Sequence, residues 1–368
     1  MFTSRDAARL LSQASDPDAL AAIATALGFG TAFRLDRTTK RELGLALDSR
    51  DVQVATGRGA LRALLLHFDD PRDPRERTVA AARLVARGSP ELRWLILTRG
   101  GPEPRVMIAA PPPSGGGSVP LLEVAASAPH TTDLETFAAL VAASTGPDLL
   151  VHQRWRETLG RDALSHRFYR ELAAGVDTLA STAEGPADKA TRRTIALLHT
   201  SRLLFLAFLE SRGWLDRDHE FLRRHFVVSA SASRRGGAQR RFLEPLFFGT
   251  LNTPVRSRAA AATAFGDVPF LNGGLFTRTP LERRARDLTF ADDAIGTIIG
   301  GLLSRYRLTP RESSDGWSDA AVDPEMLGRT FESLMHADQR EARGAFYTPP
   351  ALITRLVRDG LEIGRAHV

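Results

Sequence analysis

Residues 203–209, Leu-Leu-Phe-Leu-Ala-Phe-Leu, are apolar around every side of a helix. A helix with no polar face must be central, enclosed by other elements. Helical periodicity around this run extends from about Lys189 to Arg212, and Gly213 supplies a stop. A membrane span is the competing reading. It is rejected because the seven apolar residues, flanked by Arg202 and Glu210, fall short of the roughly 20 that a bilayer core requires. Enclosing such a helix takes further helices, and the pattern from His152 onward provides them, with 155–159 and 168–179 reading as an amphipathic pair.

The first part of the chain reads differently. Two short helices (Ala8, Leu10, Leu11; then Leu20 to Leu27 after the Asp16-Pro17 break) precede strand-like segments at 31–35, 43–47, 52–55 and 61–68. A helix over 76–86 leads to strands at 92–97, 105–110 and 121–125, and a helix covers 134–143. Between two of these strands lies Pro-Pro-Pro-Ser-Gly-Gly-Gly-Ser (111–118), a linker or a long hairpin loop. This order predicts an α/β domain over 1–150 and a mostly α-helical domain over 151–320.

At 368 residues, 43% hydrophobic and 25% charged, the chain is long enough for two or three cores of roughly 150 residues each. The formal charge of +6 permits a polyanionic partner without requiring one. Lysine occurs only at Lys40 and Lys189, so nearly all the positive charge is arginine. The absence of cysteine excludes disulfides and thiolate metal sites within this stretch. The N-terminus has no uninterrupted apolar run of signal-peptide type, which makes a cytoplasmic location the expectation.

Chemistry is concentrated near the end. Asp323, Pro324 and Glu325 form a helix start: an acceptor at the N-cap, a proline whose missing N–H costs nothing at the first position, and an acid in the positive first turn. Leu327, Phe331, Leu334 and Met335 share one face of that helix. After a charged connector comes Gly-Ala-Phe-Tyr-Thr-Pro-Pro (344–350), then a second amphipathic helix carrying Leu352, Ile353, Leu356 and Val357. Thr348 is placed to cap it, and a hydroxyl beside free N–H groups at a helix start can hold a small anion. A packed turn before a capped helix is the plainer reading of the same residues.

The order Leu-Gly-Arg-Thr-Phe-Glu, charged spacer, Gly-Ala-Phe-Tyr-Thr-Pro-Pro resembles the start of the catalytic domain in adenine-N6 DNA methyltransferases of the fused restriction-modification (type IIG) and phage-defence kind. The segments 205–215, 245–252 and 268–276 extend the resemblance over roughly 150–361. It implies a Rossmann-like, S-adenosylmethionine-dependent domain opening at 321–361, with Phe346, Tyr347 and Thr348 contacting the cofactor. The family's glycine-rich turn and its Asn-Pro-Pro-Tyr motif occur nowhere in these residues. The Gly28-Phe29-Gly30 pair follows a helical pattern and lacks the strand that a nucleotide-binding turn needs. Residues 362–368 resemble the in-frame translation of a sequencing adapter, so the gene is expected to be incomplete, with authentic sequence ending at Leu361 or Glu362. By itself the chain is expected to lack methyl transfer.

The resemblance also raises a PD-(D/E)xK nuclease in the N-terminal domain, which needs an aspartate and a Glu-x-Lys on adjacent strands to hold Mg²⁺. Asp48 or Asp51 supplies a first acid, but the 61–68 strand ends His67-Phe68-Asp69-Asp70 with no Glu-x-Lys. The domain therefore reads as a nuclease-like scaffold without cleavage activity or as an unrelated α/β domain. The loop 234–241, with Arg234, Arg235, Arg240 and Arg241 about a glycine pair, suits phosphate contact and equally a solvated loop. Glu282-Arg283-Arg284-Ala285-Arg286-Asp287 alternates in sign and reads as plain surface, and Asn272-Gly273-Gly274 as a tight turn with glycines at positive φ.

The implied whole is a site-specific DNA adenine-N6 methyltransferase acting on double-stranded DNA, with a separate specificity or restriction subunit as an open partner. The alternatives are a DNA-binding or assembly module without chemistry and an endonuclease acting through the N-terminal domain.

Overall fold

The computed structural model describes residues 2–13, 18–42, 52–68, 73–101, 104–231, 237–271, 273–309 and 317–328. The chain divides into two units, Met1–Asp323 and Pro324–Val368. The second is described only through 324–328, where the helix expected to start at Pro324 does start.

The first unit is built on a mixed sheet in which the seven described strands follow one another in chain order. They are β1 (Ala32–Arg34), β2 (Val52–Thr56), β3 (Leu61–Phe68), β4 (Arg93–Gly100), β5 (Arg105–Ala109), β6 (Val119–Ala125) and β7 (Trp317–Asp319). Neighbours are antiparallel except β3 with β4 and β6 with β7. The β3/β4 pair needs a crossover, and α4 (Pro74–Gly88) provides it, started by the Asp73 carboxylate on the Arg75 N–H with Pro74 at the first position. The strand expected at 43–47 lies outside the described residues, and the short helix α3 (Arg37–Glu42) precedes it.

Strand β3 is a continuous apolar run because it is covered on both faces. Ala63 and Leu65 face a layer made by α1 (Ser4–Ser12), α2 (Ala19–Ala26), α5 (Thr131–Ala142) and α6 (Asp148–Leu159), whose Leu11, Ile23, Phe137 and Trp155 fill that core. Leu64 and Leu66 face α4 through Val79, Ala82 and Val85. Trp155 meets the demand of a buried indole by donating to the Leu140 carbonyl at 3.0 Å. The 111–118 segment proves to be the hairpin loop joining β5 to β6. Its Gly115 has φ +65°, and a Cβ there would lie 2.9 Å from the Arg83 carbonyl oxygen, so only glycine fits.

The second core is helical. The long helix α8 (Lys189–Ser211) starts with the Asp188 carboxylate on the Thr191 N–H at 2.6 Å. It ends as foreseen at Gly213, φ +68°, with Gly213 N–H on Glu210 O and Trp214 N–H on Leu209 O, the bonding of a left-handed terminal glycine. It packs along α7 (Arg161–Ser181). By length and composition it passes as a membrane span, yet 56% of its apolar window is buried inside the protein. The run at its centre is not enclosed on every side, however: Leu203, Leu204, Leu206 and Leu209 are buried, whereas Phe205 is 40% exposed. The helical part then ends by returning a strand to the sheet, β7 beside β6.

On the scaffold question, β2 and β3 are adjacent as a nuclease site requires, but Val52–Thr56 and Leu61–Phe68 carry neither acid nor lysine. Asp48, Asp51, Asp69 and Asp70 lie outside the described residues. With no Glu-x-Lys in the sequence, the N-terminal domain, residues 1–150, is expected not to cut duplex DNA in Mg²⁺. Cleavage measured on supercoiled plasmid and abolished by Asp48→Ala, Asp51→Ala or Asp69→Ala would place a working metal site there instead.

Candidate nucleic-acid interface

Of the arginines singled out in 234–241, Arg240 and Arg241 are exposed, and Arg234 and Arg235 lie outside the described residues. Arg240 and Arg241 sit on a wide helical turn, Gln239–Leu243, that continues past Glu244 into Pro245–Leu251. The turn is anchored because Phe242, Leu243, Leu246, Phe247 and Leu251 are buried. Its opening is tied to a distant segment. The Asp292 carboxylate accepts from the Gly237 and Ala238 N–H groups at 3.2 and 3.0 Å. The buried Gln239 carboxamide donates to Leu288 O at 3.0 Å and accepts from Phe290 N–H at 2.8 Å. Arg278 adds a third tie, to Glu244 at 3.0 Å, with its guanidinium over the Phe248 ring.

Behind this surface lies a buried charged node. Arg202, fully buried in α8, forms a forked pair with Glu282 and donates to the Leu275 and Thr277 carbonyls. Those carbonyls belong to the 268–276 motif and the residue after it, so that motif wraps the arginine. Neither Gly273 nor Gly274 has the positive φ expected of a tight turn: Gly273 is extended at φ −155° and Gly274 opens a short 3₁₀ turn. Glu282 also closes a capping box with Thr279 at the start of α10 (Pro280–Arg284). Burial would raise the Glu282 carboxyl, but His199 beside it at 3.6 Å and the hydrogen bonds from Arg202 and the Thr279 N–H outweigh it and hold the group far below the ordinary carboxylate range. His199, buried edge-on to Phe247 and Phe290, is pushed toward its neutral form by the same burial.

A cavity of about 430 Å³ opens elsewhere in the first unit, lined in part by Arg75, Arg105, Glu123, Glu210, His219 and Arg307. Apart from Glu210, its carboxylates are paired with arginines. Glu123 pairs with Arg75 and Arg105, and Arg307 forks onto Asp319 at 2.7 and 2.9 Å and reaches Asp133 at 3.4 Å. Burial lifts Asp133 to about 6 against the pull of Arg307. No group of three potential ligands suited to a metal ion occurs among the described residues. The cluster's physical role is a clamp, because it ties α4, α5, β5 and β6 to the three-residue strand β7. Sequence reading missed it, although the lone acid Glu123 within the apolar run of β6 was its visible sign.

Phe346, Tyr347 and Thr348, the residues assigned to the cofactor by resemblance, lie outside the described residues. Over 177 residues the chain is 29% identical to a protein of Methanocaldococcus jannaschii named as a candidate type II restriction enzyme and methyltransferase. The match covers 46% of this chain and 15% of that protein. No family model matches the chain, and no solved structure does. The chain is thus a distant relative of a protein named for restriction and modification.

Proposed function

We propose that this chain is a DNA-docking region of a site-specific adenine-N6 DNA methyltransferase of restriction-modification or phage-defence type. Its 1–150 segment is a nuclease-like domain without cleavage, 151–320 a helical connector, and 321–361 the opening of the S-adenosylmethionine-dependent domain. The single observation that carries the reading is the match to a protein named for both restriction and methylation, joined to the Gly-Ala-Phe-Tyr-Thr-Pro-Pro sequence at 344–350.

The bound cofactor supplies the methyl group. By the resemblance, the Thr348 hydroxyl and neighbouring N–H groups would hold the carboxylate of a methionyl end, and Phe346 and Tyr347 would give apolar cover. Adenine N6 is paired within the duplex, so the base must be turned out of the stack to react. Arg234, Arg235, Arg240 and Arg241 would contribute by neutralising phosphates. On this reading the site of action is the cytoplasm and the partner is double-stranded DNA, with a separate specificity or restriction subunit left open.

The test is labelled-methyl transfer from S-adenosylmethionine to mixed-sequence duplex DNA by the protein expressed from its native locus. Label is expected in N6-methyladenine, with cofactor affinity falling about tenfold in Thr348→Ala for the loss of one hydrogen bond to a charged group. Label in cytosine, or in no base, would reject the reading.

A further inference from the structure

In sequence, 282–287 alternates in sign and looks like an ordinary solvated surface. Folding removes that balance. Glu282 is drawn inside, 5% exposed, by Arg202 and the α10 cap, while Arg283, Arg284 and Arg286 stay at the surface. Glu244, the carboxylate that follows Arg240 and Arg241, is likewise occupied by Arg278. Asp292 is engaged by two backbone N–H groups.

The segments that carry the two arginine groups, 43 residues apart in the chain (Arg240 to Arg283), are tied to one another by the side chain of Gln239. Gln239, immediately before Arg240, is bonded to Leu288 and Phe290, and Arg286 stands two residues before Leu288. Five exposed arginines thus share one stitched structure with two exposed acids, Asp287 and Asp293. Asp287 meets Arg286 only at 4.0 Å, with the side chains 71% and 80% exposed, an ion pair too solvated to neutralise it. Arg283 is steadied by donating to the Arg278 carbonyl at 2.6 Å.

We infer that Arg283, Arg284 and Arg286 form, with Arg240 and Arg241, one continuous surface that binds the phosphate backbone of duplex DNA. The inference rests on the DNA-modifying reading above and adds to it three side chains that neither the motif resemblance nor the loop pattern picked out. Duplex DNA is the fitting partner because it presents about one negative charge per 1.7 Å of axis, and arginines held on a rigid frame neutralise such a row without reading its sequence.

The experiment measures the affinity of residues 1–368 for a labelled mixed-sequence duplex by fluorescence anisotropy across a salt series. The Arg283→Ala, Arg284→Ala, Arg286→Ala triple variant is expected to flatten the slope of log affinity against log salt by about 2–3, at roughly 0.9 per phosphate contact. Arg240→Ala with Arg241→Ala is expected to flatten it by about 1–2, and the triple replacement by lysine to preserve it. Unchanged melting temperatures would show that each variant folds. A triple-alanine slope equal to that of the parent, beside a lowered slope for the Arg240/Arg241 variant, would overturn the inference and leave the DNA reading standing. A parent chain with no salt-dependent duplex affinity would overturn both.

Discussion

Arg202→Ala is expected to lower folding stability by about 3–5 kcal/mol, measured by denaturant unfolding at neutral pH. The arginine is fully buried, and its removal strands the Glu282 carboxylate inside the protein together with the Leu275 and Thr277 carbonyls. The size of the loss comes from that uncompensated charge more than from the intrinsic worth of the pair. Arg202→Met combined with Glu282→Leu should therefore cost less than Arg202→Ala, although it forfeits the carboxylate half of the α10 capping box, while the Thr279 hydroxyl still accepts from the backbone N–H of residue 282. A double variant less stable than the single one would show that packing, and not the stranded charge, sets the cost. The pH dependence has a definite sign. Glu282 in the folded protein is held below its ordinary 4.5, so its contribution is complete above that value and is lost as pH falls below it.

Glu210 should show the opposite behaviour. Burial pushes its carboxyl up to about 7, with Asp218 and Glu220 adding to the rise and the Leu222 N–H opposing it. A folded-state value above the ordinary 4.5 means that the native protein holds the proton more tightly than the unfolded chain. Stability therefore declines as pH rises from about 4.5 to about 7 and then levels off. Glu210→Gln keeps an acceptor for the Leu222 N–H, which now meets Oε1 at 2.7 Å, but cannot ionise. The variant is expected to match the parent at pH 4 and to exceed it by roughly 2–3 kcal/mol at pH 8, after allowance for the partial exposure of the group. Thermal unfolding at both pH values decides it. Equal stability at pH 8 would mean that Glu210 ionises freely beside the cavity.

Much of the N-terminal architecture was legible before any tertiary contact was known. The runs at 61–68 and 92–97, the helix over 76–86 and the glycine stop at 213 all appear as expected, because each rests on periodicity or on a conformational preference spanning a few residues. The helical segments of the 151–320 region were legible for the same reason, though not the wide turns over 239–251, where the Glu244 N–H bonds to the carbonyl five residues back at Gln239. Of the proposed contact residues, Arg240 and Arg241 could be recognised from arginine clustering next to glycine, a local signal that requires no partner.

The sequence alone determined the longer helices and strands, that the first part of the chain is α/β and the later part largely helical, and where arginines cluster. Tertiary structure alone decided which charges reach the surface. Glu282 reads as an acid among exposed arginines until Arg202, 80 residues away, draws it inside. Asp319, to which no local pattern assigns a partner, is fixed by Arg75 and Arg307 only once β7 returns beside β6. The physical reason is range. Propensity and periodicity act over one or two turns of chain, whereas a buried ion pair exists only when distant segments exclude water from both partners at once. The same separation explains why the basic surface could be assembled only from the fold: the side chains that make it one-sided are the acids that folding conceals.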